Sequence, residues 1–163
     1  TVRKSEIGKR TREFIRNDQL QPSDKFKPIR CFDVNMNKFD WNSVKGKKFT
    51  IIVGGLWCMT HGMDNSLPKQ YFESIKEKYG DSHQLILYVY CNDSEEMKEE
   101  IKEFGLEDYT VISDFKGRAT PFTSIYNCQA TPTCIYTDAE GIIVNIMEGL
   151  DPNYLENEFI LKQ

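Results

Sequence analysis

Two kinds of apolar run alternate along the chain. The first kind is continuous. Phe49-Thr50-Ile51-Ile52-Val53 and Leu85-Ile86-Leu87-Tyr88-Val89-Tyr90-Cys91 are short, uncharged and rich in β-branched or aromatic residues. Such runs predict strands buried on both faces, as in a parallel sheet. The second kind is spaced for one face of a helix. Leu67, Tyr71, Phe72, Ile75 and Tyr79 recur at i, i+4, i+5, i+8 and i+12, and Gly80 stops them. Met97, Ile101 and Phe104 form a second helical face, behind a capping box from Asp93 to Glu96 and ahead of a terminating Gly105.

The remaining pattern is weaker but regular. Tyr109–Ser113 reads as a short strand, and residues 118–127 as a helix with Pro121 in its first turn. Strands at 133–138 and 142–147 flank a turn at Ala139-Glu140-Gly141. Asp151-Pro152 is an N-cap followed by proline, opening a last helix with Leu155, Phe159 and Ile160 inward. At the other end, residues 1–18 form a polar helix with a thin stripe of Ile7, Phe14 and Ile15. Residues 19–28 read as a linker with Pro22 and Pro28, and the alternation at 30–34 and 38–41 brackets Asn35-Met36-Asn37 as a hairpin, with Trp41 as a packing residue. A strand–helix–strand unit needs a parallel pair with a right-handed crossover, and the closing hairpin adds antiparallel strands. Periodicity alone therefore predicts a mixed three-layer α/β domain, divided into an N-terminal helical extension and linker at 1–27 and the domain proper at 28–163.

Composition narrows the function classes. A chain of 163 residues holds one domain with a real core. Hydrophobic content of 39% and charged content of 28% are those of an ordinary soluble protein. Net charge is −4 and no single stretch gathers the basic residues, so nucleic acid is not an expected partner. No apolar run reaches membrane-spanning length. The chain opens at Thr1 with polar and charged residues rather than an export signal, which is compatible with a processed or trimmed form. Five cysteines at 31, 58, 91, 128 and 134 are odd in number and lack C-x-x-C pairs. Cys31, Cys91 and Cys134 are expected as small buried core residues.

One cysteine sits differently. The strand at 49–53 is released by Gly54-Gly55, and Leu56-Trp57-Cys58-Met59-Thr60-His61 follows ahead of the helical pattern. A cysteine near a helix N-terminus lies beside unpaired backbone N–H groups that favour its thiolate. His61 at i+3 faces the same side, and an imidazolium there lowers the thiol pKa further. Met59 and Met63 add soft donors that would suit copper, but the chain's other histidine is His83, and the local ligands do not complete a zinc site. No metal and no cofactor is expected. There is no Gly-rich phosphate loop and no Ser/His/Asp motif.

Two segments carry a resemblance. Lys47-Lys48-Phe49-Thr50-Ile51-Ile52-Val53 leading to Trp57-Cys58, and Ala130-Thr131-Pro132-Thr133 followed by Cys134-Ile135-Tyr136-Thr137-Asp138 and Glu140-Gly141-Ile142-Ile143-Val144, resemble the thioredoxin-like superfamily, nearest its exported TlpA-type thiol–disulfide reductases. The resemblance spans roughly residues 28–161. It implies a thioredoxin-like α/β fold, a central mixed sheet flanked by helices, here with an N-terminal helix and β-hairpin extension. It implies that Pro132 is the loop proline beside the reactive cysteine, that Thr131 pairs with an extended substrate, and that Trp57 lines the site. It also implies export to a periplasm or cell envelope. The sequence departs from the family where His61 replaces the second motif cysteine, and where Pro68 falls ten positions after Cys58. The peroxiredoxin pattern Pro-x-x-x-Thr-x-x-Cys is absent before Cys58.

The expectation is a thiol–disulfide oxidoreductase-like protein with catalytic Cys58 and His61, acting on a protein or small-molecule thiol or disulfide. It is monothiol, or resolved by an external thiol, or by another cysteine; Cys128, at a helix end or loop, is the candidate. The alternative is a non-catalytic module that uses the same groove to bind a partner.

Overall fold

The computed structural model describes residues 19–54, 69, 72, 73, 75–77 and 80–149. Its centre is a five-stranded sheet built from β1 (Lys48–Gly54), β2 (His83–Val89), β3 (Thr110–Ile112), β4 (Thr133–Thr137) and β5 (Ile143–Glu148), in the order β3-β2-β1-β4-β5. β1, β2 and β3 run parallel; β4 is antiparallel to β1, and β5 to β4. The sheet is mixed, as the strand–helix–strand unit and the closing hairpin require.

β1 lies between β2 and β4, and six of its seven residues, Phe49 to Gly54, are buried. Alternation sends its side chains to two cores. Ile52 joins Leu87, Val89, Cys134 and Tyr136 on one face, while Ile51 and Val53 join Ile86, Tyr88 and Ile135 on the other. Helix α1 (Ser94–Phe104) covers the first face with Met97, Ile101 and Phe104, beside Phe72 and Ile75, which stand among helical residues. Helix α2 (Pro121–Ile125) covers the second face with Phe122, together with Phe26, Ile29 and Cys31. Three layers result.

α1 shows which forces hold such a helix. Asp93 accepts from the N–H groups of Glu95 and Glu96, and Gly105 closes the other end in the left-handed region at φ 63°. Glu96 completes its cap one residue earlier than the capping-box pattern predicts, accepting from the N–H of Asn92 at 2.7 Å. Burying three large apolar side chains contributes roughly 1.5–3 kcal/mol each. The exposed Lys98–Glu95 pair at 2.6 Å adds a few tenths at most. Packing, not surface pairing, fixes this helix.

Several predicted elements are reshaped. The hairpin at 30–41 reduces to one antiparallel bridge between Phe32 and Lys38, because Asp33 folds the chain locally. Its carboxylate accepts from the backbone N–H groups of Asn35 and Asn37. Trp41 is not in a strand but opens the 3-10 helix Trp41–Val44, capped by Asp40. Its indole N–H donates to the Ile29 carbonyl at 2.7 Å, so it packs with its polar atom satisfied. The helix expected over 118–127 shortens to Pro121–Ile125, preceded by a 3-10 turn at Gly117–Ala119, and Asn127 at φ 52° marks where it has ended.

Residues 19–28 are tied to the domain. Leu20 N–H donates to the Ile125 carbonyl, Lys25 bridges Ile142, and Phe26 is buried. The helices expected over 1–18 and after Asp151 lie outside the described residues. No helix among the described residues is long and apolar enough to cross a membrane.

Candidate functional site

β1 ends where its backbone meets a loop. A β-carbon placed on Gly54 would stand 3.2 Å from Thr131 Cβ and 3.5 Å from Pro132 Cα. Only a residue without a side chain allows that approach without movement. The Gly54 carbonyl accepts from the Tyr90 N–H at 3.3 Å, which ties the end of β1 to the end of β2. The loop is held from the other side. Gly149 N–H donates to the Pro132 carbonyl at 2.8 Å, and Thr133 Oγ1 donates to the Ala130 carbonyl at 2.6 Å. The Thr131–Pro132 peptide bond is cis. This junction lies at the carboxyl ends of the parallel strands, where open α/β sheets commonly place ligands.

Of the residues singled out in the sequence, Thr131 and Pro132 are brought against Gly54 and are half-buried. Trp57, Cys58 and His61 lie outside the described residues, as do Met59 and Met63. Cys58 follows Gly54 by four positions in the chain.

The described cysteines are all free thiols and all buried. Cys128, the cysteine expected at a helix end or loop as a possible resolving partner, is buried in the structure. It is 4% exposed, its thiol lies 3.7 Å from the Phe122 carbonyl, and burial pushes its pKa up to about 12. α2 ends before Cys128, whose N–H donates back to the Thr123 carbonyl, so a position that reads as a helix end is covered. Cys134 points to the Gly149 carbonyl at 3.2 Å, and its thiol is likewise raised to about 12 by burial. Burial raises Cys31 to about 12, with the Asp114 carboxylate adding to the effect, and raises Cys91 to about 11. None of the four is a thiolate near neutral pH, so none is a ready nucleophile.

A buried polar cluster beside this end of the sheet was not legible in the sequence. Tyr88 lies in the continuous apolar run of β2, where periodicity assigns it to the core. Its hydroxyl donates to Asp114 Oδ1 at 2.5 Å and lies 2.6 Å from Thr120 Oγ1, which also accepts from the Phe122 N–H at the start of α2. The second Asp114 oxygen is buried and has no hydrogen-bond partner. Burial, followed by the bond to Asp114, raises the Tyr88 pKa well above the usual phenol value. The one hint in the sequence is a tyrosine within the otherwise aliphatic stretch 85–89, because a buried hydroxyl needs a partner. The cluster ties β2 to the segment leading into α2.

Among the described residues no group of three His, Cys, Asp or Glu side chains could hold a metal ion.

No protein-family profile and no curated protein matches the chain by sequence. Solved structures do match in three dimensions. A C-terminal domain provisionally described as that of a thiol-disulfide oxidoreductase from Bacteroides thetaiotaomicron matches with a TM-score of 0.71 at 16% identity, covering 87% of this chain and 97% of that one. A thiol-disulfide oxidoreductase from Bacteroides fragilis matches with a TM-score of 0.65 at 14% identity, covering 86% and 99%. A thiol peroxidase from Chromobacterium violaceum matches with a TM-score of 0.63 at 14% identity, covering 88% and 87%. At such identities the likeness speaks to architecture, and the same architecture serves both titled activities. With its mixed sheet order and helices on both faces, the chain has a thioredoxin-like α/β fold.

Proposed function

We propose that the chain is a thiol–disulfide oxidoreductase-like protein whose reactive group is Cys58. The observation that carries this reading is the contact of Gly54 with Thr131 and Pro132. It puts the outlet of β1, three residues before Trp57-Cys58, against the loop that the resemblance assigns to the substrate. His61 then favours the Cys58 thiolate by charge, Trp57 lines the site, and Thr131 offers its backbone to an extended substrate. The solved structures titled as thiol-disulfide oxidoreductases support the reaction class.

The step is a thiol–disulfide exchange. The Cys58 thiolate attacks one sulfur of a substrate disulfide, and the other sulfur leaves as a thiolate that takes up a proton. The resulting mixed disulfide at Cys58 needs a second thiol. His61 stands where a dithiol motif would keep that cysteine, and Cys128 is buried and protonated. An external small thiol therefore resolves the intermediate, freeing Cys58 and becoming oxidised in its place.

A second reading has an observation in its favour. With no thiolate among Cys31, Cys91, Cys128 and Cys134, the groove has no internal resolving partner ready, which suits a non-catalytic module that binds an extended chain against Thr131.

Iodoacetamide labelling of each cysteine from pH 4 to 9, read by mass spectrometry, separates the two. Catalysis requires Cys58 to label fast near pH 6 while the other four stay slow. If Cys58 reacts no faster than a free thiol, the enzymatic reading is wrong and the binding module stands.

A further inference from the structure

The end of the sheet opposite the Pro132 loop carries a cleft. Its volume is about 300 Å³. It opens between the segment at 25–28, the 3-10 helix at Trp41–Val44, the start of β1 and the turn between β4 and β5. Its floor is aromatic and rigid. Phe26 packs against Trp41 with ring centroids 5.0 Å apart and against Phe49 at 5.2 Å, edge to face. The Trp41 ring is pinned by its bond to the Ile29 carbonyl, so the cleft is preformed.

The polar groups on its wall fall into two sets. The backbone atoms are already used. Phe26 N–H donates to the Gly141 carbonyl, Lys45 N–H donates to the Asn42 carbonyl, and Asn42 is bonded through its backbone and side-chain nitrogens to the Asp40 carboxylate. The charged ends are not. Lys25 and Lys45 both line the cleft, both are exposed, and neither ammonium pairs with a carboxylate among the described residues. One acid, Glu140, lines it from the turn. An apolar, aromatic-floored cleft of this size bordered by a few charged side chains is the usual make-up of a small-molecule site. Its two cations against one anion select for negative charge.

We infer that this cleft binds a small amphiphilic anion, a carboxylate with an aromatic or compact apolar body. The body lies on Phe26, Trp41 and Phe49, and the carboxylate reaches Lys25 and Lys45 at the rim. The site is separate from the Gly54–Pro132 junction and needs no thiol chemistry.

The probe is 1-naphthoate, titrated into the full-length ¹⁵N-labelled chain, with neutral 1-naphthalenemethanol as its counterpart. Saturable shifts of the Trp41 indole N–H and of the Val44, Phe49 and Gly141 amides are expected, with Val111 and Ile112 at the far edge unmoved. The doubly substituted Lys25→Gln, Lys45→Gln chain should bind naphthoate at least about threefold more weakly, approaching the neutral compound. Ala139→Trp, a change on the turn that leaves the aromatic floor in place, should block both compounds. Non-saturable shifts, shifts centred elsewhere, equal affinity for the neutral compound or indifference to Ala139→Trp would each overturn the proposal. Because neither probe nor variant touches Cys58, a failure here is distinct from a failure of the iodoacetamide test.

Discussion

The two ends of the sheet are built by opposite means. At the carboxyl ends of β1 and β2, small residues let backbones touch. Gly54 lies against Thr131 and Pro132, and Gly149 bonds the Pro132 carbonyl. At the other end, large side chains fill the space between elements, with Phe26, Trp41 and Phe49 in ring contact. A junction made by backbone approach tolerates no added atom, because there is no rotamer to adjust. A junction made by rings tolerates exchange of shape better but depends on its one polar anchor, the bond from the Trp41 indole to the Ile29 carbonyl. The difference teaches where to expect exact geometry and where to expect a pocket.

The sharpest way to break the comparison is Gly54→Val. Its Cβ would meet Thr131 Cβ at 3.2 Å, and its methyl groups would press further. Urea unfolding should show a loss of about 2–3 kcal/mol, and Cys58 labelling should change with it. A neutral outcome would mean that the Thr131 loop moves freely and that the contact carries no positioning.

The opposite end has its own sensitive group, through protonation. His83, at the start of β2, bonds the Thr50 hydroxyl at 2.7 Å. Burial, then the nearby Lys48 charge, lowers its pKa to about 4. The unfolded chain therefore takes up this proton first as pH falls, so the stability is fully present above pH 6.5 and is lost on descending toward 4. Between pH 7.5 and 5 the loss should be roughly 2 kcal/mol. His83→Gln, measured over the same range, should lack that component; an unchanged pH profile in the variant would assign the slope to other groups.

Tyr88→Phe tests the tie between β2 and the segment leading into α2. It removes the hydroxyl between Asp114 and Thr120 and leaves a buried carboxylate with fewer partners. A cost of about 1–3 kcal/mol is expected in urea unfolding. A rise in stability would show that the cluster contributes specificity rather than stability.

The smallest effect belongs to Trp41→Phe. The ring floor is largely kept, but the bond to the Ile29 carbonyl goes. About 1 kcal/mol of stability should be lost in urea unfolding. If Trp41→Phe proves costlier than Gly54→Val, the comparison between a rigid end and an adjustable end is reversed.

Periodicity along the chain was enough to locate β1, β2, α1 and the closing hairpin, because each buries a face whose spacing is local. It also placed Phe72 and Ile75 in the core. The segment at 19–28 was legible only as a linker, since its ties to Ile125 and Ile142 cross more than a hundred positions. Asp33 and Asp40 reshaped the region at 30–44 through local side-chain bonds that compete with strand pairing. The site was legible in part: Thr131 and Pro132 by resemblance, but not the Gly54 contact that makes them adjoin β1.

What the sequence alone determined is the content of each element, because 2.0- and 3.6-residue periods are properties of the chain itself. It also determined that a single cysteine, Cys58, follows the glycine pair with a histidine three positions on. What only the tertiary structure decided is which groups become neighbours and which lose water. It buried Cys128 and raised its thiol, joined Tyr88 to Asp114, and set Lys25 and Lys45 around one aromatic cleft. Desolvation and long-range contact have no signature in local spacing, since both arise only when distant segments close on each other.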